Sequence, residues 1–202
     1  ALMSAIYNLG SVILQSSINA LGSVYIAAQV GGRKLAEFFY IPGIALGTSA
    51  ATFSSQNFGA GERVRIAKGA RSGIFMYFCW WLVALVFVIF LAPTAVKFIT
   101  GSSNPEVIKN GVLYLRISIP MIPPMAILVI LRNILQGMRR PGMPLFCSCL
   151  ELIGKVIFAL WLVPAFGYLA VCVCEPVTWV ICCVVIAVAV FAIRGEFTDR
   201  HI

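Results

Sequence analysis

The chain has little charge and few acidic groups: 15 Lys or Arg, 7 Asp or Glu and a single histidine among 202 residues, charged residues making up 11%. A soluble domain carries about 25% charged residues, so this chain cannot cover a water-facing surface. With one histidine, His201, and cysteines that stand as Cys147/Cys149, Cys172/Cys174 and Cys182/Cys183 inside apolar runs, it also lacks the Cys-x-x-Cys and histidine spacing of a zinc site. No metal or organic cofactor is expected, and the cysteines read as reduced packing residues. Neither a histidine cluster nor paired carboxylates on one helix face suggests an enzyme. Short alternating segments are missing too, which argues against a β-barrel.

What the sequence has instead is hydrophobic length. Apolar residues make up 61%, and the mean hydropathy is +0.99. A spanning helix takes about 20 mostly apolar residues, and the backbone in hydrocarbon must satisfy itself by helix formation. The runs place six transmembrane helices near 2–18, 24–54, 72–98, 111–135, 143–166 and 168–193. Glycines 31 and 32, and then Pro42-Gly43, are expected to interrupt the second; Pro120, Pro123 and Pro124 are expected to bend the fourth. The fold class is therefore all-α integral membrane, a multi-pass protein in the lipid bilayer.

The net charge of +8 does not point to nucleic acid, because most cations sit in short connections between apolar runs. One set of connections contains Arg63, Arg65, Lys68 and Arg71, then Arg132, Arg139 and Arg140, then Arg194 and Arg200; the other contains Lys97 and Lys109. The positive-inside rule puts the first set, and the C-terminus, in the cytoplasm of a cell (inner or plasma) membrane. No basic segment precedes the first apolar run as in a cleavable signal peptide, and the chain starts within an apolar run, so an upstream segment is expected.

Charged residues within the spans are candidate functional groups, since each costs at least about 2.5–3.5 kcal/mol near a helix centre. Glu151 and Lys155 are four apart with the acid first, the order that favours a pair. Glu151 reads either as a protonatable, cation-binding group or as half of a static pair. Lys34 and Glu37 are three apart beside the glycine pair, suited to a cavity wall or to snorkelling, with Arg33 as the snorkeller. Arg116 reads as an interfacial anchor and Glu175 as a residue at a helix start near the outer surface. Gln15 and Asn19 of the first span either line a cavity or bond neighbouring helices. Pro120, Pro123 and Pro124 are hinge candidates or simply shape the fold. Met121 and Met125 offer adaptable apolar surface. Gly43-x-x-x-Gly47 reads as a helix contact.

Gln56-Asn57-Phe58-Gly59-Ala60-Gly61, with the basic stretch Arg63 to Arg71 after it, resembles the link after the second helix of each lobe in multidrug and toxic compound extrusion (MATE) transporters. Leu135-Gln136-Gly137-Met138 with Pro144, Leu14 to Gly22 with Ile26-Ala27-Ala28, Glu151 to Lys155, and Glu175-Pro176-x-x-Trp179 are also similar to that family, in its order, and closest to bacterial DinF-like and NorM-like members. Arg139 stands where the family commonly has glycine.

The resemblance implies one six-helix lobe, the C-terminal half, of a twelve-helix transporter whose first lobe is apparently missing. It implies a secondary antiporter that exports small organic, often cationic, molecules in exchange for protons or sodium by alternating access. The partner would be the missing N-terminal lobe or a second copy. Sodium-coupled members place carboxylates where this chain has Gln15 and Met125, so a sodium site of that type is not expected here. The cavity or coupling candidates are then Gln15, Lys34, Glu37, Glu151 and Lys155. Two other readings stay open: a lipid-linked precursor flippase of the same wider superfamily, which should carry a strongly cationic cavity, and a non-transporting truncated half.

Overall fold

The computed structural model describes residues 2–193, which form six helices. These are α1 (Leu2–Leu21), α2 (Ser23–Gly59), α3 (Arg63–Thr100), α4 (Pro105–Gly137), α5 (Gly142–Phe166) and α6 (Tyr168–Ala192). The tail that carries Arg194, Arg200 and His201 lies outside the described residues. Helices α3 to α6 are long and apolar enough to cross a membrane. The other two are more polar: α1 has Asn8, Gln15 and Asn19, and α2 has Arg33, Lys34 and Glu37 together with a run of hydroxyl residues.

α2, α3 and α4 pack on one another, α4 also packs on α6, and α5 links α6 to α1. The end of α2 packs on the end of α4, where the Ser54 hydroxyl donates to the Ile134 carbonyl and a methyl on Gly137 would meet Ser54 and Ala51. The α2–α3 and α4–α5 turns therefore share one end of the bundle, with Arg63, Arg65, Arg139 and Arg140 gathered there. The α2–α3 turn needs only residues 60–62, and Gly61 takes the left-handed backbone (φ 76°) that such a reversal demands. The stretch Arg63 to Arg71 is not a link, as its charge suggested, but the first turns of α3. At the α4–α5 turn Arg139 is itself left-handed, with φ 59°, a conformation that costs a side-chain-bearing residue about 1–2 kcal/mol.

α2 is continuous through both expected interruptions. Its glycines serve close packing instead. A methyl on Gly31 would fall 2.3 Å from the Thr100 side chain, and one on Gly32 would fall 3.0 Å from Tyr114. Both halves of the Gly43-x-x-x-Gly47 pair are helix contacts, Gly43 against Tyr77 of α3 and Gly47 against Val129 and Asn133 of α4. Near Pro42, which removes one backbone donor, the Phe39 carbonyl accepts from the Trp80 indole (3.1 Å) and the Tyr77 hydroxyl (3.5 Å) of α3.

The proline cluster in α4 has a local consequence. Residues Ile119–Met121 tighten into a 3₁₀ turn, and α-helix resumes at Ile122. Pro123 cannot donate to the Ile119 carbonyl four residues earlier, and the Trp81 indole of α3 donates to it at 3.0 Å. The Ile119 carbonyl is thus shared between the Ile122 N–H of the 3₁₀ turn and a side chain of the neighbouring helix.

The outward faces differ in chemistry. On α3 the exposed residues include Phe75, Phe78, Val86, Ile89, Phe90 and Phe98; α5 and α6 expose Phe146, Leu160, Trp161, Val184 and Phe191. Such surface suits hydrocarbon. The exposed face of α2 carries Lys34, Glu37, Thr48, Ser49, Thr52, Ser55 and Gln56, interleaved with Phe38, Ile41 and Ile44. From Lys34 to Gln56 it extends over 23 residues, about 33 Å at 1.5 Å rise per residue.

Candidate functional site

Apart from the buried Tyr168–Gln29 hydrogen bond, the charged groups described inside the bundle fall into three sets. The first joins α2, α4 and α6 around Glu175. Its side chain is 8% exposed, 7 residues past the start of α6, rather than at the surface as its place before a proline suggested. One oxygen accepts from the Tyr114 hydroxyl of α4 at 3.2 Å; the other lies 3.6 Å from Arg33 Nη2 of α2. Arg33 does not snorkel away. Its Nε, the neighbouring donor on the same guanidinium, donates to Glu37 Oε1 at 3.1 Å. Glu37, 59% exposed, lies on the outward face of α2. One arginine therefore bridges a buried carboxylate and an exposed one. Lys34, expected beside Glu37, points outward and is exposed, and among the described residues no ion pair joins the two.

The second set corrects another expected pair. Glu151 does not bind Lys155, although the two are one turn apart. It lies 3.5 Å from Arg132 of α4, which also donates to the Ser148 hydroxyl and to the Pro144 carbonyl at 3.3 Å. Arg132 is accordingly not a residue of the basic connection but part of α4, five residues before its end, reaching across to α5. Among the described residues, Glu151 Oε2 and Arg132 Nε have no hydrogen-bond partner.

Lys155 makes the third set. It is 2% exposed and donates from Nζ to Ser11 Oγ of α1 at 3.0 Å, while the ammonium sits 3.8 Å from the centre of the Tyr7 ring. A cation over an aromatic face is attracted by its quadrupole, more strongly when desolvated. Gly10 leaves the room: a methyl there would come 3.0 Å from Lys155 Cδ.

On α1, Gln15 donates to Asn19 Oδ1 at 3.0 Å within the same helix. Met125, about one turn past the 3₁₀ segment of α4, is buried, whereas Met121 and Arg116 are exposed. Of the sequence-derived residues, the structure brings Glu37, Arg33 and Glu175 together and keeps Glu151 and Lys155 in separate sets. The roles of Arg33, Arg132, Glu175 and Tyr114 were not anticipated. The only sequence signal for them was their place inside apolar runs, which does not say which helices they join.

A profile of the MatE family matches residues 1–161. The chain belongs to the MatE family. No curated protein matches it. Its fold is that of one MATE lobe. A crystal structure of a MATE proline-to-alanine mutant superposes with TM-score 0.83 at 14% identity, over 96% of this chain and 44% of that one. A transporter of the MOP superfamily from Pyrococcus furiosus, described as having a binding pocket of reverse polarity, gives 0.74 at 14% identity, over 99% of this chain and 44% of that one. A MATE in complex with MaD3S gives 0.71 at 16% identity, covering 98% and 45%. The MATE chain here thus spans less than half the length of the structures it matches, and it is a multi-pass membrane protein.

Proposed function

We propose that this MATE lobe works as half of a secondary antiporter that exports small organic, often cationic, compounds in exchange for protons or sodium. The observation that supports this reading is the outward face of α2. Its Lys34, Glu37, Thr48, Ser49, Thr52 and Ser55 would waste hydration against lipid, yet α3, α5 and α6 expose Phe, Leu and Val. A water-filled path between this lobe and a second one accounts for the difference. The second lobe comes from the same polypeptide or from a second copy. Alternating access then consists of the two lobes rocking about that path.

Glu37 is the carboxylate best placed to meet a cation, because it is exposed on that face while Glu151 and Glu175 are buried. Lys34, Gln15 and the α2 hydroxyls complete the wall. Glu151 and Lys155, held within the bundle, set the position of α5 against α4 and α1. Pro120, Pro123 and Pro124 give α4 the bend at which its two halves can move. A lipid-linked precursor flippase would call for a uniformly cationic wall; the α2 face carries Lys34 and Glu37 side by side, which favours organic cations. The test is efflux of a fluorescent organic cation from cells expressing the native protein or its Glu37→Gln variant. The reading expects transport to fall at least tenfold at equal expression. Unimpaired efflux in Glu37→Gln would remove Glu37 from the pathway.

A further inference from the structure

Arg33 makes two contacts of unequal cost. Its Nη2 lies 3.6 Å from Glu175, 8% exposed, whose other oxygen accepts from the Tyr114 hydroxyl; its Nε donates to Glu37, 59% exposed. Breaking the inner contact strands a buried charge, whereas the outer one is a solvent-screened pair between groups one helical turn apart. A guanidinium carries five N–H donors on three nitrogens, so Nε and Nη2 can serve separate acids and one can be released while the other holds. Beside Glu37 on the outward face stand Phe38 and Ile41, both 59% exposed, an aromatic and an aliphatic surface; the Phe38 ring rests on Phe39 and Trp80 and keeps the rest of its surface open.

We propose that Arg33 is a tethered counter-ion that occupies Glu37 when no substrate is bound, yields it to a lipophilic organic cation, and then rests wholly on Glu175. This rests on the reading of the α2 face as a cation path. Glu37 receives the charge and Phe38 with Ile41 the apolar body, which assigns delocalised, aromatic-rich cations as the preferred class. Small inorganic cations gain no apolar contact to offset the displacement of Arg33. Glu175 acts as a positioning residue: it never touches substrate, and it draws Arg33 inward.

The experiment is binding of tetraphenylphosphonium to the native protein purified in lipid nanodiscs, with Arg33→Gln, Glu175→Gln, the double variant and Glu37→Gln. Arg33→Gln is expected to tighten binding about threefold to fivefold, the scale of an exposed ion pair. Glu175→Gln alone is expected to weaken it by a similar factor, since Arg33 then serves Glu37 only. In the double variant, which leaves no lone buried charge, Glu175→Gln should have no further effect and binding should match Arg33→Gln. Glu175→Gln weakening binding equally with and without Arg33 would mean a plain field effect and overturn the proposal, as would unchanged binding in Arg33→Gln. A wild-type protein that binds no organic cation would instead overturn the proposed function itself.

Discussion

Gly43 offers a sharp test of how α2 meets α3. A methyl added there would sit 2.4 Å from Tyr77 Cε1, 2.5 Å from Cζ and 2.6 Å from the hydroxyl oxygen. Tyr77 is fully buried and cannot swing out of the way. Its movement also disturbs the donation to the Phe39 carbonyl. Overpacking of this kind costs about 1–3 kcal/mol, and contacts this short belong at the upper end. Alanine recovers up to about 1 kcal/mol of helix propensity, so Gly43→Ala should lose about 2 kcal/mol net. For a chain of this size that lowers Tm by about 4–8 °C. Gly59, near the end of the same helix, provides the control, because an added methyl meets nothing within 4 Å. Gly59→Ala should leave Tm unchanged or raised. The assay is thermal unfolding of the purified protein in one detergent, all variants side by side. Replacing Tyr77 by Leu should then cost less in the Gly43→Ala background than in the wild type, since the clash goes with the ring. Gly43→Ala as stable as Gly59→Ala would refute the packing argument.

Arg139, left-handed at φ 59° in the α4–α5 turn, should be more stable as glycine. Arg139→Gly should gain about 1 kcal/mol in a detergent unfolding experiment, and a loss would show that its side chain contributes more than the strain costs. The pairing of Glu151 is open to a double-mutant cycle. Its coupling to Arg132 should be about 1–3 kcal/mol and its coupling to Lys155 close to zero, measured as Glu151→Gln in the Arg132→Leu and Lys155→Leu backgrounds; the reverse ranking would restore the pair suggested by sequence spacing. Trp81→Phe removes the only side-chain donor to the Ile119 carbonyl among the described residues. It should cost about 1 kcal/mol, and a neutral result would mean that the α4 bend holds without that bond.

The helices were legible because lipid leaves so few choices. A long apolar run must be a helix there, and its charged flanks mark the turns. Finer features were legible only where they depend on one helix. The Gly43-x-x-x-Gly47 pair announces a contact by its own spacing, and three prolines announce a weakened ladder in α4. Partners across helices were not legible. Glu151 and Lys155 satisfy the one-turn rule, but α4 brings Arg132 to Glu151 and α1 brings Ser11 and Tyr7 to Lys155. Spacing along one helix cannot weigh those rivals. The same holds for Gly31-Gly32, read as a break. Glycines in a helix lower its propensity, but they also admit Thr100 and Tyr114 at close range, and packing wins. Glu175 before Pro176 looked like a helix start because proline favours first turns; α6 had already begun at Tyr168.

The central claim is that the outward face of α2 meets water while the outward faces of α3 and α6 meet lipid. Thiol accessibility in native membranes tests it most directly, in a background where the exposed Cys79 is replaced by Ser. Single variants Glu37→Cys, Thr48→Cys and Thr52→Cys should react with a membrane-impermeant maleimide applied to both sides of the membrane. Phe90→Cys and Val184→Cys should stay unmodified until the membrane is dissolved in detergent. If the α2 positions are as unreactive as Phe90→Cys and Val184→Cys, the face is lipid-covered, and the account of a cation path along it fails.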